Sequence, residues 1–134
     1  MSPEVANRKL RLLGEYLDEL KKYVGLPRAQ AEISRYAIER LCQLVVEVLS
    51  DVTIHLLADR YGCSMGTYKE AFRKAGEIGL LDVDTSEALQ KAAGLRNLLV
   101  HLYDKIDLDL LLSGLPILIS AAEKASGELL EAAG

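Results

Sequence analysis

The sequence predicts an all-α, up-and-down helical bundle with a short extra helix inserted between its long ones. Three observations carry that prediction. Half of the 134 residues are hydrophobic, yet only 5% are aromatic and none is tryptophan, so the core must be built from Leu, Ile, Val and Ala. Such side chains suit helix-on-helix packing. Apolar residues recur at three- and four-residue spacing, and alternating runs are rare. Only three prolines punctuate the chain. The length fits one domain with one core, spanning residues 1–134.

Five helical segments are expected. The first runs from about Pro3 to Val24, with Leu10, Leu13, Leu17, Leu20 and Val24 on one stripe and charged residues between them. Gly25-Leu26-Pro27 ends it. The second is long, from about Arg28 to Arg60, and apolar on most faces from Tyr36 to Leu57, which marks it as the central helix. Tyr61 to Gly66 form a loop. The third helix runs from about Thr67 to Glu77 and Gly79 terminates it. Asp84 followed by Glu87 has the spacing of a capping box, which starts the fourth helix, from about Thr85 to Leu102. Asp107 is the expected N-cap of the last. Gly114 and Pro116 are expected to break or kink that last helix before it resumes to about Ala132, since proline lacks the backbone donor and clashes with the preceding turn.

The net charge is −4 and the pI about 5.2. A general nucleic-acid coat would be basic, so that class is excluded. The charge is uneven: residues 1–40 carry eight Lys/Arg and six Asp/Glu, whereas residues 41–134 carry eight and fourteen. Either the surface is simply solvated, or the basic arm meets an acidic partner or the other half of a dimer. Cys42 and Cys63 have no zinc-ligand spacing, and Cys42 sits in an apolar run that suits a small core residue. With no signal peptide, lipidation motif or long uncharged apolar span, the expectation is a cytoplasmic protein with no membrane attachment.

The chemistry concentrates in Arg96-Asn97-Leu98-Leu99-Val100-His101-Leu102-Tyr103. Arginine grips phosphate with a planar fork of donors, and histidine titrates near neutral pH. Asn97 and His101, four apart, share a helix face. Arg96 and Tyr103, seven apart, nearly eclipse about a quarter-turn away, by the roughly 100° step per residue. All four can line one polar wedge, leaving Leu98, Leu99 and Leu102 for the core or a dimer seam. Such a set can stabilise a phosphodiester transition state and transfer its protons without a metal, with an RNA 2′-hydroxyl as nucleophile. A structural alternative stands beside it, since Arg and His near a helix end also cap carbonyls or pair with carboxylates. Glu47, Asp51 and His55 recur every four residues on the central helix. Glu47 or Asp51 can hold the arginine or orient a histidine. The alternatives are a buried structural network or a solvent-facing stripe. With two histidines and no paired Glu-x-x-His motif, no metal and no cofactor are expected.

Arg96-x4-His101-x-Tyr103 resembles the Arg-x4-His-x-Tyr motif of the HepT-like toxins of the HEPN superfamily. The likeness extends to Tyr36–Leu41, the opening of the second helix, and to Val48–His55, similar to the family's Asp-x3-His core. It also takes in Tyr68–Phe72 in the short inserted helix, Gly94–His101, and Asp104–Asp107, so that residues 28–112 are covered. The resemblance implies a HEPN-type bundle acting as the toxin of a type VII-like two-gene toxin–antitoxin module. It implies a homodimer with both motifs in one cleft, cutting tRNA or mRNA as a metal-independent endoribonuclease. Arg96 and His101 would be catalytic, with Asn97, Asp51 and Glu47 in support. The antitoxin would be a minimal nucleotidyltransferase that transfers AMP to Tyr103, where bulk and negative charge repel RNA phosphate. The alternative within the same resemblance is a non-catalytic nucleotide- or protein-binding partner of a nucleotidyltransferase; a purely structural helical dimer is the third.

Overall fold

The computed structural model describes residues 1–101 and 107–134, with the side chains of residues 98–101 left aside. Among the described residues there are six helices and no strand: α1 (Pro3–Lys21), α2 (Arg28–Ile33), α3 (Arg35–Tyr61), α4 (Tyr68–Glu77), α5 (Val83–His101) and α6 (Leu108–Ala133). The expectation of an all-α fold holds. Leu98, Leu99 and Leu102, the expected seam residues, lie outside the described side chains.

Helix α1 is set by its ends and its stripe. Ser2 Oγ accepts the Val5 N–H, with Pro3 in the first turn where its missing donor costs nothing. Ala6, Leu10, Leu13, Leu17 and Leu20 are buried. The helix stops at Lys21, before Val24, which is exposed in the turn that left-handed Gly25 (φ 76°) closes. The long second helix is instead two. Ser34, at φ −90° and ψ 7°, separates α2 from α3. Serine is a weak helix former, and α2 buries only Ala31, so little packing forces the two segments into one rod. Ile33 and Tyr36 on either side of the break are exposed, so the apolar face expected to start at Tyr36 starts at Ile38. Arg28 Nη1 instead ties α2 to Asp109 at the head of α6, at 2.6 Å.

Helix α3 is the core element and packs against every other helix. Ile38, Cys42, Val45, Val46, Leu49, Val52, Leu56 and Leu57 are all buried. By length and composition α3 is apolar enough to cross a membrane, although it is not uncharged: Glu47 and Asp51 interrupt its apolar run. Its burial among the other helices explains the composition instead. The ion pairs fix the directions. Met1 N meets Asp59 at 3.0 Å and Lys9 meets Asp51, so α1 and α3 run antiparallel. Asp82 meets Lys124 at 2.9 Å while Leu95 and Gly114 line one groove, so α5 and α6 run antiparallel. Lys21 meets Glu123 near the end of α1, and Met1 lies beside Ala133, so α1 and α6 are antiparallel too. The result is an up-and-down arrangement of α1, α3, α5 and α6, with α4 inserted against α3 and α5.

Helix α4 starts where Thr67 Oγ1 accepts the Glu70 N–H at 3.1 Å, and ends at left-handed Gly79 (φ 81°). Phe72 and Ala75 seat it in the core. Helix α5 begins earlier than expected. Its cap is Asp82, not Asp84: Asp82 Oδ1 accepts the N–H groups of Asp84 (2.8 Å) and Thr85 (3.3 Å). Lys124 and the Glu128 carboxylate, which accepts the Asp82 N–H at 2.8 Å, hold that aspartate in place. Asp107 caps α6 as expected, accepting from Asp109 and Leu110. The expected break at Gly114 and Pro116 is absent, and α6 is continuous as a helix through both. Pro116 is exposed, so its ring and its missing N–H lie on a side of the helix that is open to water. Leu111, Leu115, Leu118 and Ile119 are buried around it and hold both halves to one core.

Candidate active site

Arg96 projects from α5 toward α3, and three neighbours fix it. Its Nη2 and Nε both donate to Glu47 Oε1, at 2.8 and 3.3 Å. Its Nη1 donates to Asn97 Oδ1 at 3.3 Å. Its guanidinium carbon stacks 4.8 Å from the ring centroid of Tyr68, at the first position of α4. Each contact comes from a different part of the fold: α3 gives the carboxylate, α5 the amide, α4 the ring. The Arg96 side chain is 21% exposed and that of Glu47 28%, so the pair sits at a half-buried edge rather than in the core.

The edges matter chemically. A guanidinium presents five N–H donors in a rigid fork. Glu47 takes the side-on edge, Nε and Nη2. Among the described residues nothing bridges the terminal Nη1–Nη2 edge, whose only other described contact is Asn97 on Nη1. That edge has the geometry for two oxygens of a phosphate. Tyr68 covers one face of the cation.

Glu47 is held as an anion. Burial pushes its carboxyl up, but hydrogen bonds from Arg96 and Gln43 and the charges of Arg96 and Arg40 outweigh burial and hold it below the ordinary carboxylate value of 4.5. The Gln43 amide donates from one turn back on α3, at 3.2 Å. One turn on, Asp51 pairs with Lys9 of α1, and His55 Nε2 lies 4.0 Å from its other oxygen. Asp51 and His55 are both 46% exposed. The Glu47–Asp51–His55 series is therefore a solvent-facing stripe on a core helix, and its described contacts bring only Glu47 to Arg96. Cys42, on the opposite face of α3, is buried as expected, and burial, then the charge of Glu39, push its thiol up to about 12.

His101 is the last residue of α5, and its side chain lies outside the described residues, as does Tyr103 entirely. Among the described residues no three His, Cys, Asp or Glu side chains converge as metal ligands. Of the residues singled out in the sequence, the structure places Arg96, Asn97 and Glu47 side by side, and of the two carboxylates offered for the arginine it is Glu47 that meets it. It missed Tyr68 and Gln43 as parts of the site. Gln43 had a signal, since it lies one turn before Glu47 on the same face. Tyr68 had none, because it reaches Arg96 only through the docking of α4.

Comparison with known proteins follows the same lines. The family described as Ribonuclease HepT-like matches residues 13–124. A protein of Aphanizomenon flos-aquae (strain 2012/KM1/D3) named tRNA nuclease HepT is 34% identical over 110 residues, covering 80% of this chain and 75% of that protein. A candidate RNase of Archaeoglobus fulgidus is 31% identical over 105 residues, covering 78% of this chain and 75% of its own length. Among solved structures, the tri-AMPylated Shewanella oneidensis HEPN toxin in complex with MNT antitoxin superposes with a TM-score of 0.83. That match is 17% identical and covers 92% of this chain and 95% of the toxin, a likeness of fold.

Proposed function

Because the chain belongs to the HepT-like ribonuclease family, we propose that it is a metal-independent endoribonuclease toxin acting on cellular RNA, with tRNA the first substrate to test. The observation that carries this reading is Arg96 itself, held on its side-on edge by Glu47 and on one face by Tyr68, with its terminal edge directed away from both.

The chemistry is transesterification followed by release. Arg96 binds non-bridging oxygens of the scissile phosphate and offsets the charge that grows on them. The 2′-hydroxyl attacks phosphorus, the P–O5′ bond breaks, and a 2′,3′-cyclic phosphate and a 5′-hydroxyl result. His101 accepts the 2′-hydroxyl proton or donates one to the departing 5′ oxygen. Asn97 and Glu47 orient the arginine. Asp51, one turn on, supports the same face of α3 through Lys9. A homodimer with both Arg96–His101 pairs in one cleft supplies one histidine for each role. RNA in the cytoplasm is the natural target of such a centre.

The solved HEPN toxin is in complex with an MNT antitoxin. By that likeness we assign this chain a nucleotidyltransferase antitoxin that transfers AMP from ATP to the Tyr103 hydroxyl, releasing pyrophosphate. The added phosphate places negative charge where RNA must enter.

The test is induction of wild type, R96A, H101A and Y103F in cells, with total RNA read for new 5′ ends and tRNA loss. Wild type and Y103F are expected to arrest growth and cut RNA, Y103F even when the antitoxin is present. R96A and H101A are expected to do neither. Intact RNA in all four overturns the ribonuclease reading and leaves the non-catalytic binding partner.

A further inference from the structure

We infer that Tyr68 is a positioning residue of the ribonuclease site, acting through Arg96 rather than on RNA. The inference rests on the reading of Arg96 as the phosphate-binding group. An arginine side chain has four rotatable bonds and a large rotamer entropy. A phosphate ligand that must order it loses binding thereby. The Glu47 carboxylate removes part of this freedom, but both of its hydrogen bonds converge on one oxygen, Oε1, at 2.8 and 3.3 Å. Two bonds to one atom leave a pivot at Oε1; the Asn97 contact on Nη1, at 3.3 Å, opposes rotation about it, and tipping out of plane is the freedom that remains. The Tyr68 ring, 4.8 Å from the guanidinium carbon, supplies the missing constraint, because a face contact opposes tipping.

The ring is itself well held. Tyr68 is half-buried and packs on the core at the first position of α4. That helix is locked by the Thr67 cap and by Phe72, which is fully buried. A carboxylate on one edge and an aromatic plane on one face together direct the Nη1–Nη2 edge outward. The inserted helix thus serves the site, although none of its residues belongs to the Arg-x4-His-x-Tyr motif.

Two measurements test this. The first uses no RNA: the Arg96 Nε–Hε resonance is assigned by its absence in R96K. It is expected to be dispersed and slow to exchange in wild type and in Tyr68→Phe, and to collapse toward the free-arginine position in Tyr68→Leu. An unchanged resonance in Tyr68→Leu overturns the inference. The second reads cleavage and binding. Tyr68→Leu is expected to lower kcat/KM about 3- to 30-fold, the range a cation–π contact spans between exposed and desolvated settings, and Tyr68→Phe to rescue it. Binding of a non-cleavable 2′-O-methyl RNA should weaken on Tyr68→Leu in wild type but not in an R96A background. An equal loss in both backgrounds means the ring touches RNA directly, and the positioning role fails. If wild type itself neither binds nor cuts RNA, the ribonuclease reading fails, while the Nε resonance still decides whether Tyr68 holds Arg96.

Discussion

On the proposed mechanism, Glu47 sets how much of the Arg96 charge an approaching phosphate would meet. With its carboxyl held below the ordinary value it is an anion at neutral pH, and it would compete with substrate for the cation even as it aims it. Glu47→Gln retains an oxygen acceptor and removes the competing charge; it is expected to tighten binding of non-cleavable RNA a few-fold, read by fluorescence anisotropy. The same carboxyl gives an acid limb. A folded pKa below the unfolded value of 4.5 contributes stability that is present above that value and is lost as pH falls through the folded one. The Glu47→Gln protein should lack that part of the acid slope in urea midpoints taken below about pH 4.5. Cys42 has the opposite sign. Its thiol is raised from 9.0 to about 12, so its contribution is complete below 9.0 and fades as pH rises toward 12. In the native protein Cys42 should resist thiol reagents while half-exposed Cys63 reacts, and both should react on unfolding. Equal native labelling of the two would refute the packing described for α3.

Helices α4 and α5 meet at a contact that tolerates no side chain. A Cβ on Gly76 would sit 2.6 Å from the Ser86 Cβ and closer still to its hydroxyl. That hydroxyl donates to the Phe72 carbonyl at 2.6 Å and accepts from Gln90 at 3.2 Å, so it is not free to move. Gly76→Ala is expected to cost about 1–3 kcal/mol through overpacking, and Ser86→Gly in the same chain to recover part of it. Urea unfolding of the two variants checks both. The element scale also shows what could be read from sequence. The cap at Asp107 and the stop at Gly79 follow from local chemistry, so their residues alone located them, and likewise the start of α4 near Thr67. Asp82 was missed because its role as a cap is secured from across the fold by Lys124 and Glu128. The Ser34 break depends on how little α2 buries, and the continuity of α6 through Pro116 on how much its flanks bury. Neither quantity is local. The same division holds in the site: Asn97 lies next to Arg96 on α5 and could be read from the chain itself, whereas Glu47 and Tyr68 reach Arg96 through the packing of α3 and α4.

At the scale of the molecule, most ion pairs join half-exposed or exposed side chains. Pairs of that kind contribute little to stability and are screened by salt. Stability therefore rests on the Leu, Val and Ala core. A rise to about 0.5 M NaCl should leave Tm nearly unchanged, while RNA binding, which releases counterions, should fall steeply. A parallel loss of both would mean that charge holds the bundle together. Helix α5 is fastened at its beginning by the Asp82 cap, its Lys124 and Glu128 braces and the Ser86 contact with α4, along its length by buried Leu89 and Ala93, and at Arg96 by Glu47 and Tyr68. Arg96 lies thirteen residues beyond Val83, about 20 Å at roughly 1.5 Å per residue. The helix is thus a rod pinned at both ends, and a loosened pin at one end is felt at the other. A tilt of about 5° at its start would move the guanidinium by nearly 2 Å on that arm, enough to strain the Glu47 and Tyr68 contacts or to spoil a near-attack geometry. Substitutions at Asp82, Lys124 or Gly76, none of which touches the site, would for that reason reach Arg96 along the axis of α5, and distance from the cut is no measure of indifference to it.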